Sequence, residues 1–213
     1  MLLEKTEMQP QPSARERTAR WISVIVHPIA FPLFTLAVAI YSTTRSPAQT
    51  ARWVALALLL TSVPVSLLVS VQVLRRRWTD LDVSVRRQRY LLYPFGILCM
   101  LALTLVFAFY GAPEIAVRAT AGIVLANMVD GLINFFYKVS AHATGAAACA
   151  TVLFYVAPVY GIPGAAAALL VGWSRVVLLK HTRGQVVLGW AVGVASTAVA
   201  LNLPLEGFLS GHG

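Results

Sequence analysis

The chain has 213 residues, 58% of them hydrophobic and only 12% charged, with a net charge of +9. A soluble domain carries about twice that charged fraction, and here the apolar residues come in long runs at a mean hydropathy of +0.74, so the composition excludes a water-soluble globular domain in favour of a polytopic, all-α bundle of transmembrane helices. The basic residues lie between the apolar runs and form no aromatic-basic stripe, which speaks against nucleic acid and for anionic lipid headgroups or a phosphate-bearing substrate as partners.

Residues 1–20 are polar, contain "QPQP" and read as a flexible tail. They lack the apolar stretch of a cleavable signal peptide, so the first span is expected to act as the targeting signal. That span is expected at about 21–41, where Pro28 and Pro32 follow His27 and kink the helix. A second is expected at about 53–74, followed by the polar segment "RRRWTDLDVSVRRQRY" at 75–90, and a third at about 91–110. "GAP" at 111–113 marks a turn before a weaker run at about 114–136, diluted by Glu114, Arg118 and Asp130. A fifth run covers about 141–160, "YGIPG" reads as a turn, and the sixth and seventh cover about 163–179 and 185–203. Six or seven spans in one domain, 21–205, is the resulting reading. Ala and Gly dominate the fifth and sixth runs, which lets helix backbones approach closely in lipid and puts those two at the tight centre. Cys99 and Cys149 fall inside apolar runs and read as small buried hydrophobes. Trp21, Trp53 and Trp78 read as interfacial anchors.

With seven spans, the tail and the loops at 75–90, 137–140 and 180–184 share one face. That face holds all of the 17 Lys and Arg residues except Arg45, Arg52 and Arg118. The positive-inside rule then makes it cytoplasmic, in a membrane of the bacterial inner (plasma) type.

Three polar segments meet on the same face. One carries Arg86, Arg87 and Arg89; another is "KVSAH", with Lys138, Ser140 and His142 at the start of a helix; the third is "GWSRVVLLKHTRGQ", with Ser174, Arg175, Lys180, His181 and Gln185. Arg and Lys neutralise phosphate oxygens and the charge that builds in a phosphoryl-transfer transition state. A helix start at Ser140 offers free N–H groups and a positive dipole end. Two histidines supply a nucleophile and a general acid. Asp80 and Asp82 are expected to pair with nearby Arg residues, and no Cys/His cluster has zinc spacing.

These residues resemble the type 2 phosphatidic acid phosphatase superfamily, over about 75–200. Ser174-Arg175, five residues, His181, three residues and Gln185 follow the third motif of that family, which ends on Asp. Val139-Ser140-Ala141-His142 follows its second, Pro-Ser-Gly-His. Its first, Lys, six residues, Arg-Pro, is met at Arg89, with Asp82 in the place of the Lys and Tyr90 in that of the Pro. The resemblance implies a lipid phosphate or polyprenyl diphosphate phosphatase that needs no metal or other cofactor. His181 would form a phosphohistidine, and His142 would protonate the leaving oxygen and then activate water. Gln185 would orient His181, while Arg175, Ser140 and Arg89, with Arg86 and Ser174 beside them, would hold the phosphoryl oxygens. Lys138 is our own candidate for the missing first-motif Lys.

Gln185 fixes a histidine tautomer but cannot stabilise an imidazolium by charge, which keeps a second reading open: a catalytically weak relative that binds lipid headgroups or serves as an accessory subunit. "DLD" and "NMVDG" prompt a third, a prenyltransferase, ranked low because a second Asp-rich magnesium motif is missing. A transporter ranks low too, since the ionisable residues cluster at one surface.

Overall fold

The computed structural model describes residues 12–204; both chain ends, including most of the segment read as a tail and the final "EGFLSGHG", lie outside the described residues. Among the described residues every regular element is helical.

The first expected span is two helices. α1 (Ala14–Ile25) starts within the segment read as a flexible tail, because Ser13 and Glu16 form a reciprocal cap: the Ser13 hydroxyl accepts from the Glu16 N–H, and the Glu16 carboxylate accepts from the Ser13 N–H at 2.8 Å. It meets α2 (Ala30–Thr44) at a 46° bend. Pro28 lies in that break, where the Ile29 N–H is satisfied by His27 Nδ1 at 3.2 Å.

α3 (Pro47–Ala57) and α4 (Val63–Leu74) are joined by one π-helical turn, Leu58–Ser62, into a 28-residue rod. Its start is capped by Ser46 with Pro47 in the first turn, six residues before the expected start. α5 (Arg89–Phe109) and α6 (Glu114–Asn134) match the third and fourth runs. Arg118, which made the fourth run look weak, bonds Glu114 and the Leu201 carbonyl and so costs α6 little.

α7 (Ala141–Val156), α8 (Pro158–Val177) and α9 (Arg183–Leu201) complete the bundle. The break between α7 and α8 falls at Ala157, not at "YGIPG". Proline drives the preceding residue out of helical conformation, and Ala157 is extended with φ −168° and ψ 144° before Pro158. Pro163 is then absorbed within α8.

Among the described residues five helical segments are long and apolar enough to cross a membrane: Pro47–Leu74, Arg86–Phe109, Glu114–Asn134, Pro158–Val177 and Arg183–Leu201. The bent α1–α2 pair passes the same test as a unit. Leu59, Leu67, Leu98, Leu105 and Leu169 point outward from these helices, which water would penalise and hydrocarbon accepts. α7 is shorter and sits inside, flanked chiefly by α8 and α9 and by α2. Trp53 and Trp78, expected at the interface, are buried instead: Trp53 packs edge-on against Phe107, and Trp78 lies with Val69 and Val83.

Small residues set the helix spacing at the centre. A Cβ at Gly193 would stand 2.2 Å from the Thr144 carbonyl oxygen of α7, and one at Gly189 2.8 Å from the Ser140 oxygen. Both obstacles are backbone, which cannot rotate away. Gly193→Val is therefore expected to destabilise the fold by about 3 kcal/mol or more, the upper end of overpacking effects. Gly145→Ala, whose Cβ meets nothing within 4 Å, is expected to leave the melting temperature in detergent level or slightly raised.

Candidate active site

The α8–α9 connection is a tight reversal. Leu179 adopts a left-handed conformation, φ 54°, and the N–H groups of Lys180 and His181 return to the Arg175 carbonyl at 3.0 and 3.2 Å. This is how a helix C-terminus closes on its own last carbonyls, normally with glycine at the left-handed position. The reversal folds His181 back against the end of α8 that carries Arg175. A cation there also complements the helix dipole.

α9 then begins with a cap that reaches into the chemistry. The Thr182 hydroxyl accepts from the Gln185 N–H, and Gln185 Oε1 accepts from the Thr182 N–H, each at 3.3 Å. The same Oε1 lies 3.0 Å from His181 Nδ1. The Thr182 N–H can only donate, so the amide atom facing it is the oxygen, and Nδ1 must carry the proton that bonds to it. His181 Nε2 is left with its lone pair, the arrangement a nucleophile needs.

His181 is 6% exposed. Burial, the charges of Arg89 and Lys138, and more weakly that of Arg175 push its pKa down to about 3, against the hydrogen bond it donates to Gln185. The ring is thus neutral at pH 7. An unfolded histidine titrates near 6.5, so between that value and about 3 the unfolded chain holds more protons, and this group's contribution to stability is lost as pH falls through the window. Two outcomes are expected. In nitrogen-15 spectra of histidine-labelled protein, His181 stays in the Nδ1–H form from pH 8 to pH 5. The melting temperature drops between pH 7 and pH 5, and by less in His181→Gln.

Around this ring the 75–88 segment and the α6–α7 turn are tied together by Arg89. Its Nε donates to the Val83 carbonyl and its Nη1 to the Val139 carbonyl, both at 2.8 Å, and the residue is 4% exposed. Val83 holds φ 47°, a conformation that costs a residue with a side chain about 1–2 kcal/mol. Its side chain is buried and its carbonyl taken by Arg89, which together hold it there. Lys138 Nζ donates to the Lys180 carbonyl at 2.8 Å; burial and the neighbouring Arg89 and Arg175 lower its pKa. Ser140 caps α7 through the Ala143 N–H at 3.4 Å, and its own N–H bonds the Gln185 carbonyl at 3.2 Å, fastening the first turns of α7 and α9. Its hydroxyl therefore serves the helix start.

At the centre stands Asp82. Arg175 Nη2 donates to its Oδ2 at 2.9 Å, Lys180 Nζ lies 3.7 Å from the same oxygen, and His142 Nε2 lies 3.8 Å from Oδ1. Burial works to raise the Asp82 pKa, but Arg175, with His142 and Lys180, holds it below the usual carboxylate value. Arg175 is 3% exposed and its Nε has no hydrogen-bond partner among the described residues. Arg175 and Lys180 stand against Asp82, and Asp80 acts on Lys138; with Arg89 the four cations outnumber these two carboxylates, which leaves the cluster electropositive.

Two expected site residues turn elsewhere. The Ser174 hydroxyl bonds Ser23 of α1 at 3.0 Å and the Val171 carbonyl at 2.7 Å. Arg86 donates to the Phe135 carbonyl at 3.2 Å from an exposed position. Asp82, expected only to pair with a nearby Arg, pairs with one 93 positions away; the signal in the sequence was its register, the place where the resembled motif has Lys.

Behind the cluster a cavity of about 510 Å³ runs between α2, α4, α5, α6 and α7. Asp82, Arg89 and His142 line it at one end, and Leu36, Leu103 and Val152 line it deeper in. From Arg89 to Leu103 along α5 is about 20 Å at 1.5 Å per residue. Among the described residues no group of three or more His, Cys, Asp or Glu side chains is placed to hold a metal ion. Comparison with family profiles, curated proteins and solved structures returns no match for the chain.

Proposed function

We propose that the protein is an integral-membrane phosphatase that hydrolyses a lipid phosphate or a polyprenyl diphosphate through a phosphohistidine. The observation that carries this reading is that the electropositive cluster and the apolar cavity share Asp82, Arg89 and His142 in their walls. A site that is cationic at one end and apolar behind it suits a substrate with a phosphate head and a hydrocarbon tail. α7 is read as a further span, which with the bent pair gives seven. The basic face is read as cytoplasmic.

In this mechanism His181 Nε2 attacks phosphorus, and the N–P bond forms as the P–O bond to the lipid breaks. The departing oxygen takes a proton from His142. A water then gives a proton back to His142 and attacks the phosphohistidine, releasing phosphate and restoring His181. Arg175 and Arg89, with Lys138 and Lys180, offset the charge on the equatorial oxygens.

The test is phosphate release from phosphatidate and from a polyprenyl diphosphate by purified protein in detergent containing a chelator. Release is the expected result. Release only on adding magnesium would overturn the metal-free route. No release from either lipid by folded protein would favour the second reading, a headgroup-binding or accessory protein, for which the own carboxylate on Arg175 is the specific observation.

A further inference from the structure

Resting on that reading of the cluster as an anion site, we propose that Asp82 is a built-in occupant of the phosphate seat, and that a phosphate group enters only by displacing its carboxylate. Two separate parts of the chain converge on one Asp82 side chain: from the α8–α9 reversal Arg175 Nη2 donates at 2.9 Å and Lys180 Nζ stands 3.7 Å away, and from the start of α7 His142 Nε2 stands 3.8 Å away. Groups that converge in this way on a carboxylate suit a phosphoryl group, which presents more oxygens of the same kind. The seat also has capacity beyond the carboxylate, since Arg175 Nε is buried without an acceptor.

The backbone that presents Asp82 is fixed. Trp78 and Val83 are buried on either side of it, and the Val83 carbonyl is bonded to Arg89. The side chain itself is not fixed to the same degree: it is 35% exposed and has water to rotate into. Asp80 cannot take over, because its Oδ1 accepts from the Ser84 N–H at 3.3 Å and from the Ser84 hydroxyl at 3.1 Å. A tethered carboxylate competes at a high effective concentration. Two anions do not share one guanidinium without repulsion. Asp82 therefore sets a threshold that an entering phosphate must exceed.

The shared chemistry is a tetrahedral phosphorus oxyanion, from a lipid headgroup or from free phosphate, and two probes that no phosphatase cleaves separate these sources: inorganic phosphate and dodecylphosphonate. Binding of each is measured by calorimetry in detergent to the unmutated protein, Asp82→Asn, Asp82→Ala and Asp80→Asn, with melting temperature as the check on folding. Asn keeps an oxygen for Arg175, and Ala removes it, so at least one variant tests the seat even if the other unfolds. Asp82 variants are expected to bind at least about tenfold more tightly, and Asp80→Asn, which removes the same charge two residues away, to stay within about twofold. A gain with both probes supports the proposal, and a gain with the phosphonate alone supports it with the lipid headgroup as the anion. Equal affinity in the unmutated protein and the Asp82 variants, or an equal gain in Asp80→Asn, overturns it while leaving the phosphatase reading standing. Absence of binding of either probe to any folded variant overturns both.

Discussion

His181→Gln is expected to reduce phosphate release by on the order of 10⁴-fold, the scale on which removing a nucleophile acts, with little change in the melting temperature at pH 8. Glutamine fills a similar volume and presents an amide to the Gln185 oxygen, so the first turn of α9 keeps its cap. What disappears is the Nε2 lone pair. The proton on Nδ1 is held by an oxygen fixed independently through the Thr182 N–H, so the reactive nitrogen of the unmutated protein is always the one facing away from the helix start. Turnover with radiolabelled lipid phosphate, quenched in alkali, should leave label on the unmutated protein and none on His181→Gln. Label retained by the variant would assign the phosphoryl group to another residue.

Arg175→Ala is expected to lower phosphate release by about 10² to 10³-fold, the range seen when one preorganised donor to a developing oxyanion is removed. The guanidinium is 3% exposed and its Nε lacks a partner, so its capacity for hydrogen bonds exceeds what Asp82 uses. Arg175→Lys is the informative companion. It keeps the positive charge but loses the planar fork, and should recover only a small part of the rate. Stability should change little in either variant, since Asp82 is partly exposed and retains Lys180 at 3.7 Å. A lysine variant with near-normal turnover would show that charge alone is needed at this position.

The helices were legible because hydrocarbon demands long apolar runs, and five such runs emerge as helices long enough to span. What escaped was local. The kink at Pro28 is a break between two helices, and the α7–α8 boundary follows Pro158 where the sequence offered "YGIPG" as the more obvious turn. Trp53 and Trp78 depart from the expected interface because an amphipathic ring serves a protein interior as well as an interface, and Phe107 and Val83 decide which. Within the site, Arg175 and His181 were readable as neighbours because both belong to one helix end and its reversal. Ser174 was read with them, yet adjacent helical residues point about 100° apart, and its hydroxyl goes to Ser23. The register of Asp82 marks the position, but its partners Arg175, His142 and Lys180 are brought to it only by the packed fold, so its central place is not legible in the sequence.

The Thr182–Gln185 cap ties two tasks to one atom. Gln185 Oε1 both closes the opening turn of α9 and selects which imidazole nitrogen is bare. Secondary structure and reactivity at this corner therefore cannot drift apart through successive substitutions: a residue that begins the helix without a carbonyl or carboxyl oxygen at position 185 would also leave His181 free to spin. A carboxylate there would satisfy both duties and add charge; the amide supplies the steering without the electrostatics.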